Sequence, residues 1–186
     1  MYKDKSLKEY LDDLSAKVPA PGGGSAAAFT AAMGQALASM VINFTLGKPK
    51  YAQFEKELAL ELERSEKLRR EFLDLADRDV EAYNSQDPRK ALDIPLMVAR
   101  LCFEGIHICP ELVKKGNVNL ISDTAIAAQF LEAAFSAARC NVEINLKSLN
   151  DEKLAKELRK ELDEKAKLVA QIRQETEAQV GKIIRR

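Results

Sequence analysis

Apolar residues recur at every third or fourth position along most of this chain, the spacing that lines one face of an α-helix. Six helices follow from the pattern and its punctuation. Ser6-Leu7-Lys8-Glu9 has the form of a capping box and opens a short helix to about Lys17. A second helix starts at the Gly22–Ser25 turn, carries an apolar run from Ala26 to Leu46, and stops at Gly47-Lys48-Pro49. The third runs from about Ala52 to Gln86, with Leu58, Leu62, Ser65, Leu68, Phe72, Ala76, Val80 and Tyr83 on one stripe; Asp87-Pro88 stops it. The fourth begins near Asp93-Ile94-Pro95 and ends at Gly116-Asn117, with Pro110 kinking it or dividing it in two. Ser122-Asp123 caps the fifth, which reaches about Leu149. The sixth covers Lys153 to Ile184 on a stripe from Leu154 through Leu158, Leu162, Ala166, Val169, Ile172, Thr176 and Val180 to Ile183. Its mean step is about 3.6 residues, that of a straight bundle helix rather than a supercoiled zipper. No strand-like alternation, linker or repeat intervenes. The expectation is one all-α domain over residues 1–186, a bundle of mostly long antiparallel helices.

Composition narrows the class. The 186 residues suffice for a substantial core. Acidic and basic residues balance at 29 each, which speaks against a nucleic-acid binder. Ala26–Leu46 is long enough to raise a membrane span. But Thr30, Gln35, Ser39, Asn43 and Thr45 interrupt it, as suits the buried central helix of a bundle. The N-terminus is charged and lacks the apolar core of a signal peptide. Cys102, Cys109 and Cys140 form no paired motif and His107 is the one histidine, so no zinc site is expected. Cys102 and Cys109 share a helix face as small buried hydrophobes, a usage that fits a reducing cytoplasm.

Three groups of residues carry candidate chemistry. Gly22, Gly23 and Gly24 give the backbone unusual freedom, and Ser25 is placed to cap the helix that follows. Such a turn offers bare N–H groups to an anionic or oxygen-rich ligand, or lets two helices pack closely. Asp79 falls on the apolar stripe of the third helix, while Asp77 lies about 200° away and is expected to face solvent. An inward carboxylate resists ionisation and suits proton transfer; alternatively an Arg, a Lys or Tyr83 satisfies it. Asn141 and Asn145 continue the apolar stripe Ala127, Leu131, Ala134, Ala138, and their amides serve either an interhelical network or a polar heterocycle. Lys48 and Lys50, with Tyr51, would attract an anionic tail if a pocket lies beside them. Asp123 reads as a helix-start residue unless the fold brings it to that pocket.

Six stretches keep one order along nearly the whole chain: Pro19-Ala20-Pro21-Gly22-Gly23-Gly24-Ser25 with Met40-Val41; Thr45-Leu46-Gly47-Lys48-Pro49-Lys50-Tyr51; Asp77-Arg78-Asp79-Val80-Glu81-Ala82-Tyr83; Ile94-Pro95-Leu96; Gly116-Asn117 with Ser122-Asp123; and Asn141-Val142-Glu143-Ile144-Asn145-Leu146. In these the chain resembles the formiminotetrahydrofolate cyclodeaminase and methenyltetrahydrofolate cyclohydrolase family. The glycine-serine turn and the Asn-Val-x-Ile-Asn-Leu run are the specific matches. The resemblance implies an all-helical homodimer acting on tetrahydrofolate derivatives, polyglutamylated forms included, with no cofactor beyond the folate that carries the one-carbon unit. It implies Asp79, the second Asp of its motif, as catalytic acid and base. Gly22–Ser25, Tyr83 and Asp123 would then contact substrate. Asn141 and Asn145 would hold the pterin or the pocket wall, and Lys48 and Lys50 the glutamate tail. The connection between Tyr83 and Pro95 is shorter than members of the family often carry. The implied reaction is cyclisation of 5-formiminotetrahydrofolate with loss of ammonia, the alternative being hydrolysis of 5,10-methenyltetrahydrofolate. A non-catalytic folate-binding bundle and a helical interaction module are the rival readings.

Overall fold

The structure is a computed structural model and describes residues 1–185. Its regular elements are helices, with no strand among the described residues. They are α1 (Leu7–Ser15), α2 (Gly23–Asn43), α3 (Glu55–Ser85), α4 (Pro88–Ile106), α5 (Ile108–Lys115), α6 (Ile121–Leu149) and α7 (Glu152–Ile184). Short 3-10 turns at Tyr2–Asp4, Pro49–Phe54 and Val118–Leu120 join them.

Local chemistry explains most of the boundaries. Ser6 and Glu9 form the expected capping box at the start of α1. Asp87 and Asp151 cap α4 and α7 with their carboxylates. Gln86 and Asn150, both with a φ of 53°, end α3 and α6 in the left-handed conformation. Several boundaries differ from expectation. α4 begins at Pro88 rather than near Asp93, because Asp87-Pro88 is both a stop for α3 and a cap with a first-turn proline. α6 begins at Ile121, so Ser122 and Asp123 lie inside its first turn and cap nothing. The division between α4 and α5 falls at His107, three residues before Pro110, which sits in the first turn of α5.

Pro95 lies inside α4. It has no N–H to give the carbonyl four residues back, that of Ala91. Asn145 of α6 takes that place, its Nδ2 donating to Ala91 O at 2.5 Å. One amide thus repairs the proline defect and ties α4 to α6.

The core forms around α2. Ala28, Ala31, Ala38, Val41 and Ile42 are fully buried, and small side chains let neighbours close in. A Cβ on Gly34 would meet Leu131 Cγ of α6 at 2.9 Å. Both α3 and α6 run antiparallel to α2. Ser39 and Gln35 of α2 bond Ser65 of α3, while Gly24 meets Asp79. Gly23 meets Asn141 of α6, while Phe44 and Thr45 meet Asn117 just before α6. Arg139, Arg159 and Arg173 pair with Asp163, Glu143 and Glu132 across the antiparallel α6–α7 seam. Cys102 and Cys109 are fully buried in this core, as expected, and burial pushes the Cys109 thiol up to about 12.

The outer face of α2 stays uncovered. Met33 is 47% exposed and Phe44, at its end, 55%. Gly23–Asn43 carries no ionisable side chain and is apolar and long enough to span a membrane by composition, with 61% of its apolar window buried inside the fold.

Candidate active site

The N-terminus of α2 and the last turns of α3 meet at one end of the bundle. Gly22 is the cap residue, and the helix starts at Gly23, three residues earlier than a Ser25 cap would place it. Ser25 is therefore inside the first turn, and its Oγ donates back to the Gly22 carbonyl at 3.0 Å instead of capping the helix. The glycines are needed for space, not for unusual dihedrals. Gly22 has a φ of −141°, and the one glycine with positive φ is Gly47 at 73°. A Cβ on Gly24 would lie 2.1 Å from Asp79 Oδ1.

Asp79 is half-buried and lies against this bare helix end. Burial raises its carboxyl above the usual carboxylate range, and a hydrogen bond from the Ser25 backbone N–H pulls part of the way back. The favourable field of a helix N-terminus adds to that pull. The result is a carboxyl that holds its proton more tightly than a solvated one yet has a fitted place for the anion.

Asp77 is the main correction. It is 3% exposed rather than turned to solvent, and its Oδ1 accepts the Tyr2 backbone N–H at 2.5 Å. The Tyr2–Asp4 turn covers the back of α3 there, and Lys3 pairs with Asp74 beside it at 2.6 Å. Helical phase alone could not reveal a cover supplied by residues 75 positions away.

Of the remaining candidates, some are gathered and some are not. The Asn141 amide sits against Gly23, its Nδ2 donating to Ala137 O of its own helix at 3.1 Å. Asn141 and Asn145 are half-buried, and Asn145 is committed to Ala91. Tyr83, one turn beyond Asp79, is 57% exposed. Lys48, Lys50 and Tyr51 follow the far end of α2, about 30 Å from Gly24 at the helical rise. Asp123 is at that far end too, about 27 Å along α6 from Asn141. A single chain therefore holds Gly22–Ser25, Asp79, Tyr83 and Asn141 at one end and Lys48, Lys50 and Asp123 at the other. Sequence reasoning missed Tyr10. Its hydroxyl lies 3.0 Å from Ser25 Oγ, and it is 5% exposed. The signal was present, since Tyr10 sits between Leu7, Leu11 and Leu14, a polar tip in the apolar face of α1. An apolar groove of about 440 Å³ runs from Tyr10 between α1 and α2, past Leu7, Leu11, Phe29 and Met33.

Fold and site together define an all-helical protein that offers a desolvated carboxyl on a glycine-built helix start. The comparisons give that class its family. The formiminotransferase-cyclodeaminase family profile matches residues 6–87 and 85–164. The two segments meet where α3 passes into α4 with almost no loop, at the connection expected to be short. A methenyltetrahydrofolate cyclohydrolase of Methylorubrum extorquens is 38% identical over 88% of this chain and 89% of its own length. The rat formimidoyltransferase-cyclodeaminase is 29% identical over 80% of this chain, which is 32% of that longer protein. The crystal structure of a formiminotetrahydrofolate cyclodeaminase from Thermotoga maritima superposes with a TM-score of 0.93 at 32% identity, covering 99% of this chain and 100% of that one. The chain belongs to the formiminotransferase-cyclodeaminase family.

Proposed function

We propose that this protein is a tetrahydrofolate one-carbon enzyme that cyclises 5-formiminotetrahydrofolate to 5,10-methenyltetrahydrofolate and releases ammonia. The observation that carries this reading is the Asp79 carboxyl, raised by burial and seated on the Gly24–Ser25 helix start. In the reaction, folate N10 attacks the cationic formimino carbon on N5. The tetrahedral carbon then bears an amino group and a protonated N10. Asp79 takes the N10 proton and gives it to the amino group, the carbon–nitrogen bond breaks, and ammonia leaves behind the cationic methenyl bridge. One carboxyl serves as base and then as acid, which a raised pKa favours near neutral pH. The first-turn N–H groups of α2 and the Asn141 amide would orient the polar ring edge of the folate. The proposed chemistry draws on no cofactor beyond the folate itself.

The second reading is the hydrolysis of 5,10-methenyltetrahydrofolate to 10-formyltetrahydrofolate. It is favoured by the 38% identity to a cyclohydrolase of similar length. Water adds to the same carbon, Asp79 takes one of its protons and passes it to N5 as the ring opens, and the remaining hydroxyl proton leaves to solvent as the formyl C=O forms. The assay is to supply the two folates separately and follow the methenyl chromophore and free ammonia. Methenyl formation with ammonia from the first supports the deaminase; accelerated loss of the second supports the hydrolase. Folate binding with neither reaction overturns both.

The proposal includes a homodimer. The uncharged outer face of α2, with Met33 and Phe44 exposed, supports it. So does the separation of Lys48, Lys50 and Asp123 from Asp79, which a partner packed antiparallel along α2 would close. Lys48 and Lys50 from the partner would then meet the glutamate tail, polyglutamates included.

A further inference from the structure

Tyr10 reaches the site from α1, an element that the chemistry above does not use. Ser25 Oγ donates to the Gly22 carbonyl at 3.0 Å, which leaves the Tyr10 hydroxyl, 3.0 Å away, as the donor to Ser25. Ser25 is fully buried and Tyr10 nearly so. The Tyr10 ring packs edge-on against Phe29 of α2, with centroids 4.5 Å apart, and against Tyr2 at 5.5 Å. The Tyr2 N–H in turn is held by Asp77. These contacts close a circuit. It leaves α3 at Asp77, passes through Tyr2 to Tyr10 on α1, crosses to Ser25 on α2, and returns to α3 where the adjoining Gly24 lies against Asp79.

We infer that Tyr10 is a positioning residue: through Ser25 it fixes the first turn of α2, and with it the backbone wall and N–H against which the Asp79 carboxyl sits. Its consequence for turnover rests on the function proposed above; the geometric link itself does not. From α1 the titratable group beside Asp79 is Tyr10. The α2 helix brings no ionisable side chain, and α6 brings the neutral Asn141 amide. On α3 itself Asp77 is turned to Tyr2, Tyr83 is exposed, and Arg78 pairs with Glu71 at 3.6 Å. At the start of α4, Arg89 and Asp93 pair with each other at 3.2 Å on the surface, next to the exposed Lys90. Loss of the Tyr10 hydroxyl loosens the Ser25 turn and weakens support for the ionised form of Asp79. The carboxyl must then titrate at higher pH.

The test is a 13C carboxyl titration of Asp79, assigned with Asp79→Asn, in wild type, Tyr10→Phe, Ser25→Ala and the double variant. Phe keeps the ring packed and removes only the hydroxyl. Tyr10→Phe should move the Asp79 titration to higher pH and lower kcat about tenfold with KM held within about twofold. The double variant should show no further shift, because both changes cut one link. Tyr10→Phe that titrates and turns over as wild type overturns the inference, as do two shifts that simply add. Ser25→Ala reads the same link should Tyr10→Phe fold poorly. A protein inactive on both folates sinks the functional proposal while the titration still decides this one.

Discussion

The Asp79 carboxylate occupies the space where a side chain on Gly24 would begin. A Cβ at residue 24 would fall 2.1 Å from Oδ1, 2.5 Å from Cγ and 2.7 Å from Oδ2. The glycine is what lets α3 set an anion directly on the peptide groups of α2. Gly24→Ala should therefore displace the carboxyl and cut turnover by about 10²-fold, the scale of a misplaced catalytic group. Gly22→Ala is the control, since nothing lies within 4 Å of the added carbon. Equal kcat for the two variants would refute this account of the turn.

Asp79→Asn keeps the shape and loses the proton. Turnover should fall by about 10²–10⁴-fold, the usual contribution of general acid–base catalysis, while folate affinity holds. Steady-state kinetics with equilibrium binding on the same preparation checks both halves. A variant that keeps full rate would remove Asp79 from the mechanism.

The same substitution should change how stability depends on pH. Asp79 has a folded pKa raised by burial. Between its unfolded and folded values the native state keeps a proton that the unfolded chain releases, so rising pH favours unfolding. Wild type should lose stability over that window, and Asp79→Asn should not. Calorimetric Tm values should nearly coincide below about pH 4, the unfolded carboxyl range, and diverge in favour of the variant toward neutrality. A constant gap at every pH would contradict the effect of burial on Asp79.

Asp77 has a different task and should fail differently. Asp77→Ala removes the acceptor of the Tyr2 N–H and releases the turn over α3. The cost should be about 1–3 kcal/mol of stability, with faster amide exchange over residues 2–15. Unchanged protection of that segment would show that the contact does not hold it.

Met33→Glu places a charge in the middle of the exposed α2 face without touching the core. It should turn the expected dimer into a monomer with unchanged helicity. If Lys48, Lys50 and Asp123 act from a partner, turnover falls with it. Sedimentation and the folate assay on one sample decide this; a fully active monomer would break the link.

The bundle was legible because helical periodicity is local and this chain keeps it over long stretches. The inward turn of Asp79 was legible for the same reason, standing three residues after Ala76 on a continuous stripe. What escaped notice depended on distant parts of the chain. Asp77 is buried by the chain start, and Ser25 is held by Tyr10 rather than capping anything. For Asn145 the interhelical alternative holds, but its partner, a carbonyl left over by Pro95 on another helix, was not foreseen. No reading of either segment alone supplies that pairing. The distance between the lysines and Asp79 follows from helix length and was calculable; the motif order hid it.

Because α2 carries no charge from Gly23 to Asn43, the field that Asp79 feels comes from peptide dipoles and from the exclusion of water. Dissolved ions screen exposed charges strongly and such a buried, dipolar environment only weakly. The acidity of this carboxyl should therefore depend little on ionic strength. Salt added to the solution should act on the exposed Lys48 and Lys50 and leave the Asp79 titration nearly where it was.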